Sequence, residues 1–178
     1  LIFGGSQGAL RLNRAAVDAA HLLRDRADLQ LLVLTGARDQ DEVRHRLPSG
    51  GALVVRAPEY LDRIEMAYAL ADLAVTRAGA MTMGELTACG IPSVLVPYPY
   101  ATARHQEANA RAVERAGGAV VMLDDQLDGG TMAEQVMRLL GSADRLRAMA
   151  RGARSFGRPD ATEALASVVV AAARSVRR

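Results

Sequence analysis

Short apolar runs alternate along the chain with segments whose apolar residues recur at helical spacing. The runs are nearly continuous in Val, Leu, Ile and Ala, which is typical of strands buried on both faces. The pattern predicts strands over residues 1–3, 29–34, 52–55, 73–76, 91–96 and 119–123. It predicts helices over 9–23, 39–47, 60–70, 82–88, 106–116 and 131–140, a surface loop over 124–130, and two Arg- and Ala-rich helices at the end. This alternation predicts an α/β fold, a parallel sheet with helices on both faces.

Composition narrows the class of protein. The chain has 178 residues and is 50% hydrophobic, which suits one domain with a buried core. Its single cysteine argues against a disulfide scaffold, and no apolar run reaches the roughly 18 residues that span a bilayer. All 22 basic residues are arginine, but a net charge of +2 and an aromatic content of 3% argue against a nucleic-acid partner. We expect a soluble domain of the cytoplasmic type.

The chain opens on a candidate strand that runs into a glycine-rich loop, GGSQG at residues 4–8. No Met precedes this strand, so we expect the sequence to be the C-terminal part of a longer polypeptide. The loop is either a tight strand-to-helix turn or an anion site at the start of a helix. A P-loop is excluded because the chain has no Lys, and a dinucleotide fingerprint fails on spacing and on the Thr35-Gly36 end of the next strand.

A second strand-to-helix loop, TRAGAMTMGE at residues 76–85, is rich in small residues. Thr82 and Glu85 have the spacing of a capping box, in which each side chain accepts an N–H at the helix start. Alternatively, the N–H groups of Ala80, Met81 and Thr82, with the Thr82 hydroxyl, hold a diphosphate. Glu85 would then accept hydrogen bonds from a vicinal diol such as a ribose. Both interpretations remain open at this point.

A third loop begins with Pro97-Tyr98-Pro99-Tyr100 and continues into a helix start that carries His105, Gln106 and Asn109. The amides of Gln106 and Asn109 either cap the helix or bind sugar hydroxyls, since an amide supplies both a donor and an acceptor. His105 has no evident carboxylate to orient it, so a binding or solvated histidine is favoured over a catalytic base. Asp124, Asp125 and Asp128 are interpreted as an ordinary turn, and no metal site is predicted.

Together these loops resemble the C-terminal, donor-binding half of the MurG family of N-acetylglucosamine transferases. The matching stretches are GGSQGA at 4–9, EYLD at 59–62, RAGAMT at 77–82 with Glu85, and His105-Gln106 with Asn109; PDATE at 159–163 resembles the start of the family's last helix. The resemblance implies a Rossmann-like domain over residues 1–178, the C-terminal half of a GT-B glycosyltransferase. It leaves open whether the helix over 160–178 packs on the missing N-terminal domain.

The resemblance also implies a site for UDP-N-acetylglucosamine, formed by Ser6, Leu61, Ile64, Ala80, Met81, Thr82, Glu85 and Gln106. Ser6, Met81 and Thr82 would hold the diphosphate. The Leu61 backbone would read the uracil, Ile64 would line the base pocket, and Glu85 would take the ribose hydroxyls. Gln106 would bind the hydroxyls at carbons 3 and 4 of the sugar. The family often has Gln where His105 stands, so the role of His105 is less secure.

The implied reaction is an inverting transfer of N-acetylglucosamine to the undecaprenyl-linked muramyl-pentapeptide, at the cytoplasmic face of the bacterial membrane. Neither a cofactor nor a metal is implied, because helix N-termini would hold the charge of the leaving UDP. The catalytic base is expected in the missing N-terminal domain, so no residue here is assigned that role and the fragment alone is expected to be inactive. Two alternatives remain: another UDP- or TDP-sugar transferase of this architecture with a soluble acceptor, and a non-catalytic nucleotide-binding domain.

Overall fold

The computed structural model describes residues 1–5 and 9–175, which form a parallel sheet flanked by helices. The strands are β1 (Ile2–Phe3), β2 (Gln30–Leu34), β3 (Val54–Arg56), β4 (Ala74–Thr76), β5 (Ser93–Leu95) and β6 (Ala119–Val121). The helices are α1 (Leu10–Leu22), α2 (Gln40–Arg46), α3 (Ile64–Leu70), α4 (Ala80–Cys89), α5 (His105–Arg115), α6 (Gly129–Leu140), α7 (Ala143–Phe156) and α8 (Ala161–Ser175). Two short 3-10 turns lie at Thr102–Arg104 and Asp124–Gln126.

The strands follow the order β3-β2-β1-β4-β5-β6, and every neighbouring pair is parallel. Because successive side chains of a strand point to opposite faces, the central strands contribute to two cores. Ile2 packs in the core beneath α1 and α6, whereas Phe3 packs in the core beneath α3 and α4. On β5, Val94 packs in the first of these cores, whereas Leu95 packs on the other face in a further buried cluster with Met83 of α4 and Val113 of α5. The predicted parallel sheet with helices on both faces is therefore confirmed.

The predicted elements agree with the observed ones within two residues at each end, except at the start of α3. The helix predicted from residue 60 begins only at Ile64. The N–H groups of Thr35 and Gly36 donate to the carbonyls of Pro58 and Glu59, which keeps the chain extended beside the end of β2. The helix can begin only beyond the two residues that accept these hydrogen bonds.

The segment predicted as a surface loop over 124–130 is also different. It contains a 3-10 turn followed by the first turn of α6, whose N-terminus is capped by the Asp128 carboxylate accepting from the Thr131 N–H at 2.8 Å. Leu127 is buried in the core beneath α1 and α6. Because the segment is mostly polar, its composition did not indicate that this leucine is buried or that Asp124 at its start has a buried ion-pair partner.

Helix α8 lies apart from both cores. Every residue from 161 to 174 is exposed, including four apolar side chains that are about half or more exposed: Leu165, Val168, Val169 and Val170. Within the part of the chain that the structure describes, no helix is long and apolar enough to cross a membrane.

Candidate functional site

Two strand-to-helix loops leave the sheet side by side at its carboxyl edge. β1 and β4 are neighbours, with Phe3 opposite Thr76, so the loops after these residues begin next to each other. The strand order reverses here, because β2 lies beyond β1 and β5 lies beyond β4. In open α/β sheets such a switch point is where ligands bind. The topology therefore brings the first two predicted loops together.

The loop after β1 requires glycine at its start. A side chain on Gly4 would collide with the Cβ of Ala9, the N-cap residue of α1. Gly5 has a φ of +100°, in the region that other residues rarely adopt. Ser6, predicted to hold a diphosphate, lies outside the described residues, so its role stays a prediction.

Helix α4 begins two residues earlier than predicted, and this changes the role of Thr82. Gly79 is the N-cap, and the first helical hydrogen bond runs from the Met83 N–H to the Gly79 carbonyl at 2.9 Å. The N–H groups of Ala80, Met81 and Thr82 are consequently the unpaired donors of the first turn. The capping box between Thr82 and Glu85 is wrong, because Thr82 is already the third helical residue and no side chain caps this helix.

Glu85 lies one turn further along α4 and is exposed at the surface. One of its carboxylate oxygens accepts a hydrogen bond from the Tyr68 hydroxyl of α3 at 2.7 Å. Burial, followed by this hydrogen bond to a carboxylate, raises the pKa of Tyr68 above its usual value, so the phenol remains a donor. This partner was not predicted, since nothing in the local sequence pattern connects a helical tyrosine with a glutamate on the next helix.

Leu61, predicted to read the uracil through its backbone, and Ile64, predicted to line the base pocket, pack against the core that contains the same tyrosine. Both are half-buried, and Leu86 belongs to that core as well. They precede or begin α3, which packs on α4. Tyr68 thus connects them with Glu85, since it lies in the core that they cover and its hydroxyl donates to the Glu85 carboxylate.

Arg77, the first residue after β4, joins the end of that strand to the segments that follow β5 and β6. No role was predicted for its side chain from the sequence. Its Nη1 donates to the Asp124 carboxylate at 2.6 Å and to the carbonyls of Val96 and Pro97 at 3.2 and 3.3 Å. The two charged side chains are only 11% and 14% exposed. The guanidinium also lies 5.7 Å from the centre of the Tyr98 ring, a cation–π distance. The position of an arginine immediately after a buried strand is the sequence feature that could have indicated this role.

The third predicted loop is linked to the second by an amide side chain of α5. Asn109 Nδ2 donates to the Ala78 carbonyl at 3.5 Å, which places α5 beside the α4 loop. Gln106 Oε1 accepts the Tyr98 N–H at 3.0 Å, so its carboxamide holds the loop after β5. Neither amide caps α5, whose N-cap is Arg104 without a side-chain hydrogen bond.

His105 lies at the surface beside this loop. Its Nδ1 is 2.7 Å from the Thr102 carbonyl, and the side chain is exposed. Within residues 1–5 and 9–175, no group of three or more His, Cys, Asp or Glu side chains is arranged to hold a metal ion. A cavity of about 820 Å³ lies at the opposite edge of the sheet, near Leu31 and Leu73, and contacts none of the predicted site residues.

The structure superposes on known proteins over nearly its whole length. The crystal structure of Acinetobacter baumannii MurG matches with a TM-score of 0.83 and 28% identity, covering 94% of this chain and 48% of that one. The Rossmann-like domain described here is therefore the C-terminal half of a GT-B glycosyltransferase fold. The chain belongs to the Glycosyltransferase family 28 C-terminal domain family, whose model matches residues 1–165.

Curated relatives agree with this assignment. The UDP-N-acetylglucosamine--N-acetylmuramyl-(pentapeptide) pyrophosphoryl-undecaprenol N-acetylglucosamine transferase of Halothermothrix orenii is 40% identical over 174 residues, or 95% of this chain and 47% of the relative. The protein of the same name from Moorella thermoacetica is 44% identical over 172 residues, or 94% of this chain and 46% of the relative. The chain thus spans about half the length of the relatives it matches.

Proposed function

We propose that this chain is the donor-binding part of an inverting glycosyltransferase that transfers N-acetylglucosamine from UDP-N-acetylglucosamine to the lipid-linked muramyl-pentapeptide of peptidoglycan synthesis. The observation that carries the proposal is on α4. Its first turn has three unpaired N–H donors, and one turn later Glu85 presents an exposed carboxylate. A diphosphate accepts hydrogen bonds and a ribose donates them, so one uridine diphosphate satisfies both groups.

The diphosphate would lie against the first turn of α4. The N–H groups of Ala80, Met81 and Thr82 point out of the helix start, and the small residues Ala78 and Gly79 let an anion approach the backbone. A helix N-terminus stabilises an anion by about 0.3–1 kcal/mol, and by about 2 kcal/mol when partly buried. This stabilisation grows in importance as UDP leaves, because the terminal phosphate then gains negative charge. Ser6 would add a donor from the neighbouring loop.

The nucleoside would lie on the α3 side of this helix start. Glu85 accepts from the two ribose hydroxyls, and the half-buried side chains of Leu61 and Ile64 offer an apolar surface to the uracil. The Leu61 backbone supplies the polar contact that distinguishes uracil from other bases. The proximity of these three residues around Tyr68 supports their assignment to a single nucleoside.

Gln106 would bind the sugar. Its carboxamide oxygen already accepts the Tyr98 N–H, so the Nε2 group is the part left to meet a ligand. This amide donates to the hydroxyls at carbons 3 and 4 of N-acetylglucosamine. The galacto epimer moves the hydroxyl at carbon 4 to the other face of the ring, which leaves the amide unpaired at a cost of about 1–3 kcal/mol.

The complete reaction would need a second domain. An acceptor hydroxyl attacks the anomeric carbon, the bond from that carbon to the UDP oxygen breaks, and a base outside this chain takes the hydroxyl proton. We propose that this base and the acceptor site belong to an N-terminal domain, since the matching relatives are about twice as long. The exposed apolar residues of α8 would pack on that domain. A lipid-linked acceptor would place the whole enzyme at the cytoplasmic face of the membrane as a peripheral protein.

The donor site can be tested by calorimetric titration of the chain with UDP-N-acetylglucosamine, its galacto epimer, UDP and NAD. We expect UDP-N-acetylglucosamine to bind in preference to the epimer and NAD. Glu85→Ala should weaken all three uridine compounds about 10- to 100-fold, the effect of losing hydrogen bonds to a charged group. Gln106→Ala should weaken UDP-N-acetylglucosamine about 3- to 10-fold and leave UDP nearly unchanged.

Glu134→Ala serves as the control, because Glu134 is exposed on α6 beneath the other face of the sheet. Full affinity in the Glu85→Ala variant, or equal affinity for NAD, would contradict the proposed site. Equal binding of the galacto epimer, or a preference for a TDP-sugar, would favour a transferase with a different donor. Sugar transfer to a lipid-linked acceptor by the 178-residue chain alone would refute the need for a second domain.

A further inference from the structure

We propose that Tyr68 is a positioning residue of the nucleotide site: its hydroxyl holds one oxygen of Glu85 so that the carboxylate meets both ribose hydroxyls of the nucleotide in a fixed orientation. The inference rests on the proposed function, because it assigns Glu85 to the ribose. It adds a specificity determinant that touches no ligand itself. The consequence is a site that distinguishes ribonucleotides from deoxyribonucleotides through a buried phenol.

Tyr68 is packed in the core beneath α3 and α4. The residue is 7% exposed, and its ring centre lies 6.1 Å from that of Phe3 at an interplanar angle of 49°. Leu86 and Ile91 belong to the same buried cluster. A ring packed in this way cannot change rotamer without opening a cavity, so the position of its hydroxyl is set by the core.

Glu85, unlike Tyr68, is not held in place by the core. It is exposed, it projects from α4, and its Oε2 accepts the hydrogen bond from the Tyr68 hydroxyl at 2.7 Å. A free glutamate samples several rotamers and loses that freedom when it binds a ligand. The donor from Tyr68 occupies one lone pair of Oε2 and leaves the outward lone pairs of both oxygens for a diol. The hydrogen bond therefore reduces the ordering that ribose binding requires.

A purely structural role for the same hydrogen bond is the competing explanation, since it joins α3 to α4. The two roles differ in what they predict for a nucleotide that lacks a ribose hydroxyl. A structural defect weakens every nucleotide alike. A defect in positioning weakens the ribonucleotide and spares the deoxyribonucleotide, which already lacks half of the contact with Glu85.

The experiment compares UDP with 2′-deoxy-UDP by calorimetric titration of the full 178-residue chain and its Tyr68→Phe variant, which retains the ring and removes the hydroxyl. We expect UDP affinity to fall about 3- to 10-fold in the variant, the range expected from freeing one side chain, with little change for 2′-deoxy-UDP. Val136→Ala is the stability control: it removes buried side-chain volume from the core beneath α1 and α6, so it should lower the melting temperature while preserving the preference for UDP.

A double-mutant cycle provides the second measurement. In the Glu85→Ala background, Tyr68→Phe should have no further effect on UDP affinity, because the carboxylate it positions is gone. An equal loss for UDP and 2′-deoxy-UDP, an unchanged preference, or additive effects in the cycle would overturn the positioning role. If the wild-type chain fails to bind UDP or shows no preference for the ribonucleotide, the proposed donor site itself fails, and the two failures are thus distinguishable.

Discussion

Replacing Asp124 with asparagine would leave the Arg77 guanidinium charged, nearly buried and without its counter-ion. The pair has an N–O distance of 2.6 Å and side-chain exposures of 11% and 14%. Removing one partner of a buried ion pair costs about 3–5 kcal/mol. Arg77 would keep the carbonyls of Val96 and Pro97, and asparagine still offers an oxygen, so we expect a loss at or below the lower end of this range, about 2–3 kcal/mol.

The assay is urea unfolding followed by far-ultraviolet circular dichroism. With an m value of about 2–3 kcal/mol per molar urea, the midpoint of Asp124→Asn should fall by about 1 M while m stays the same. Asp144→Asn is a matched control, because Asp144 accepts from Arg147 at the same 2.6 Å but the two side chains are 92% and 65% exposed. An exposed pair contributes little, so this midpoint should not move measurably.

Equal shifts in the two variants would refute the reasoning that burial gives the Arg77 pair its importance. A further readout follows from the position of Arg77 under the Tyr98 ring. Loss of the counter-ion should loosen the loop that carries Tyr98 and Tyr100, whose rings lie 5.6 Å apart. Tyrosine fluorescence and hydrogen exchange of residues 97–101 in Asp124→Asn, compared with the control, would detect this change before global unfolding.

Two other substitutions test the local structure. Gly90 ends α4 with a φ of +72°, and a side chain there would collide with Arg154, so Gly90→Ala should destabilise the chain by about 1–2 kcal/mol in urea unfolding. In the same helix, a Cβ added at Gly84 would meet no atom within 4 Å, so Gly84→Ala should be neutral or stabilising by up to about 1 kcal/mol. A destabilised Gly84→Ala variant or a neutral Gly90→Ala variant would contradict this account. The hydrogen bond from Arg26 lowers the pKa of Asp28 from 3.8 to about 2, so its contribution to stability is complete above about pH 4 and disappears as the pH falls to 2. Asp28→Asn should reduce the acid dependence of the unfolding midpoint over that interval, and an unchanged slope would show that the hydrogen bond does not persist in solution.

The parallel sheet could be predicted from the sequence because buried strands have a simple signature. Runs such as Leu73 to Thr76 are apolar on both faces, and glycine or proline marks the ends of others, as Gly90 and Pro97 do for the run over 91–96. The start of α3 could not be predicted, since the delay is caused by hydrogen bonds from Thr35 and Gly36 to the carbonyls of Pro58 and Glu59. Those carbonyls lie more than twenty residues away from their donors, and a local pattern carries no information about such pairs.

The candidate site, like the fold, could be predicted only in part from the sequence. The carboxyl ends of parallel strands share one edge, so the gathering of the loops after Phe3, Thr76 and Val96 could be predicted from strand order alone. Glu85 and Gln106 were chosen for their residue types and for the family resemblance. Their partners Tyr68 and Tyr98 were not predicted, because each contact depends on how two separate elements pack.

Helix α8 has a consequence for how the association of the two halves could be observed. Residues 161–174 are exposed and belong to none of the buried clusters, and a helix of 15 residues is only marginally stable in water by itself. The backbone amides of residues 161–175 should therefore exchange with solvent within the dead time of a labelling experiment when the chain is alone. Slow exchange of the same amides after addition of the other half would make this helix a built-in reporter of assembly, independent of any nucleotide or sugar.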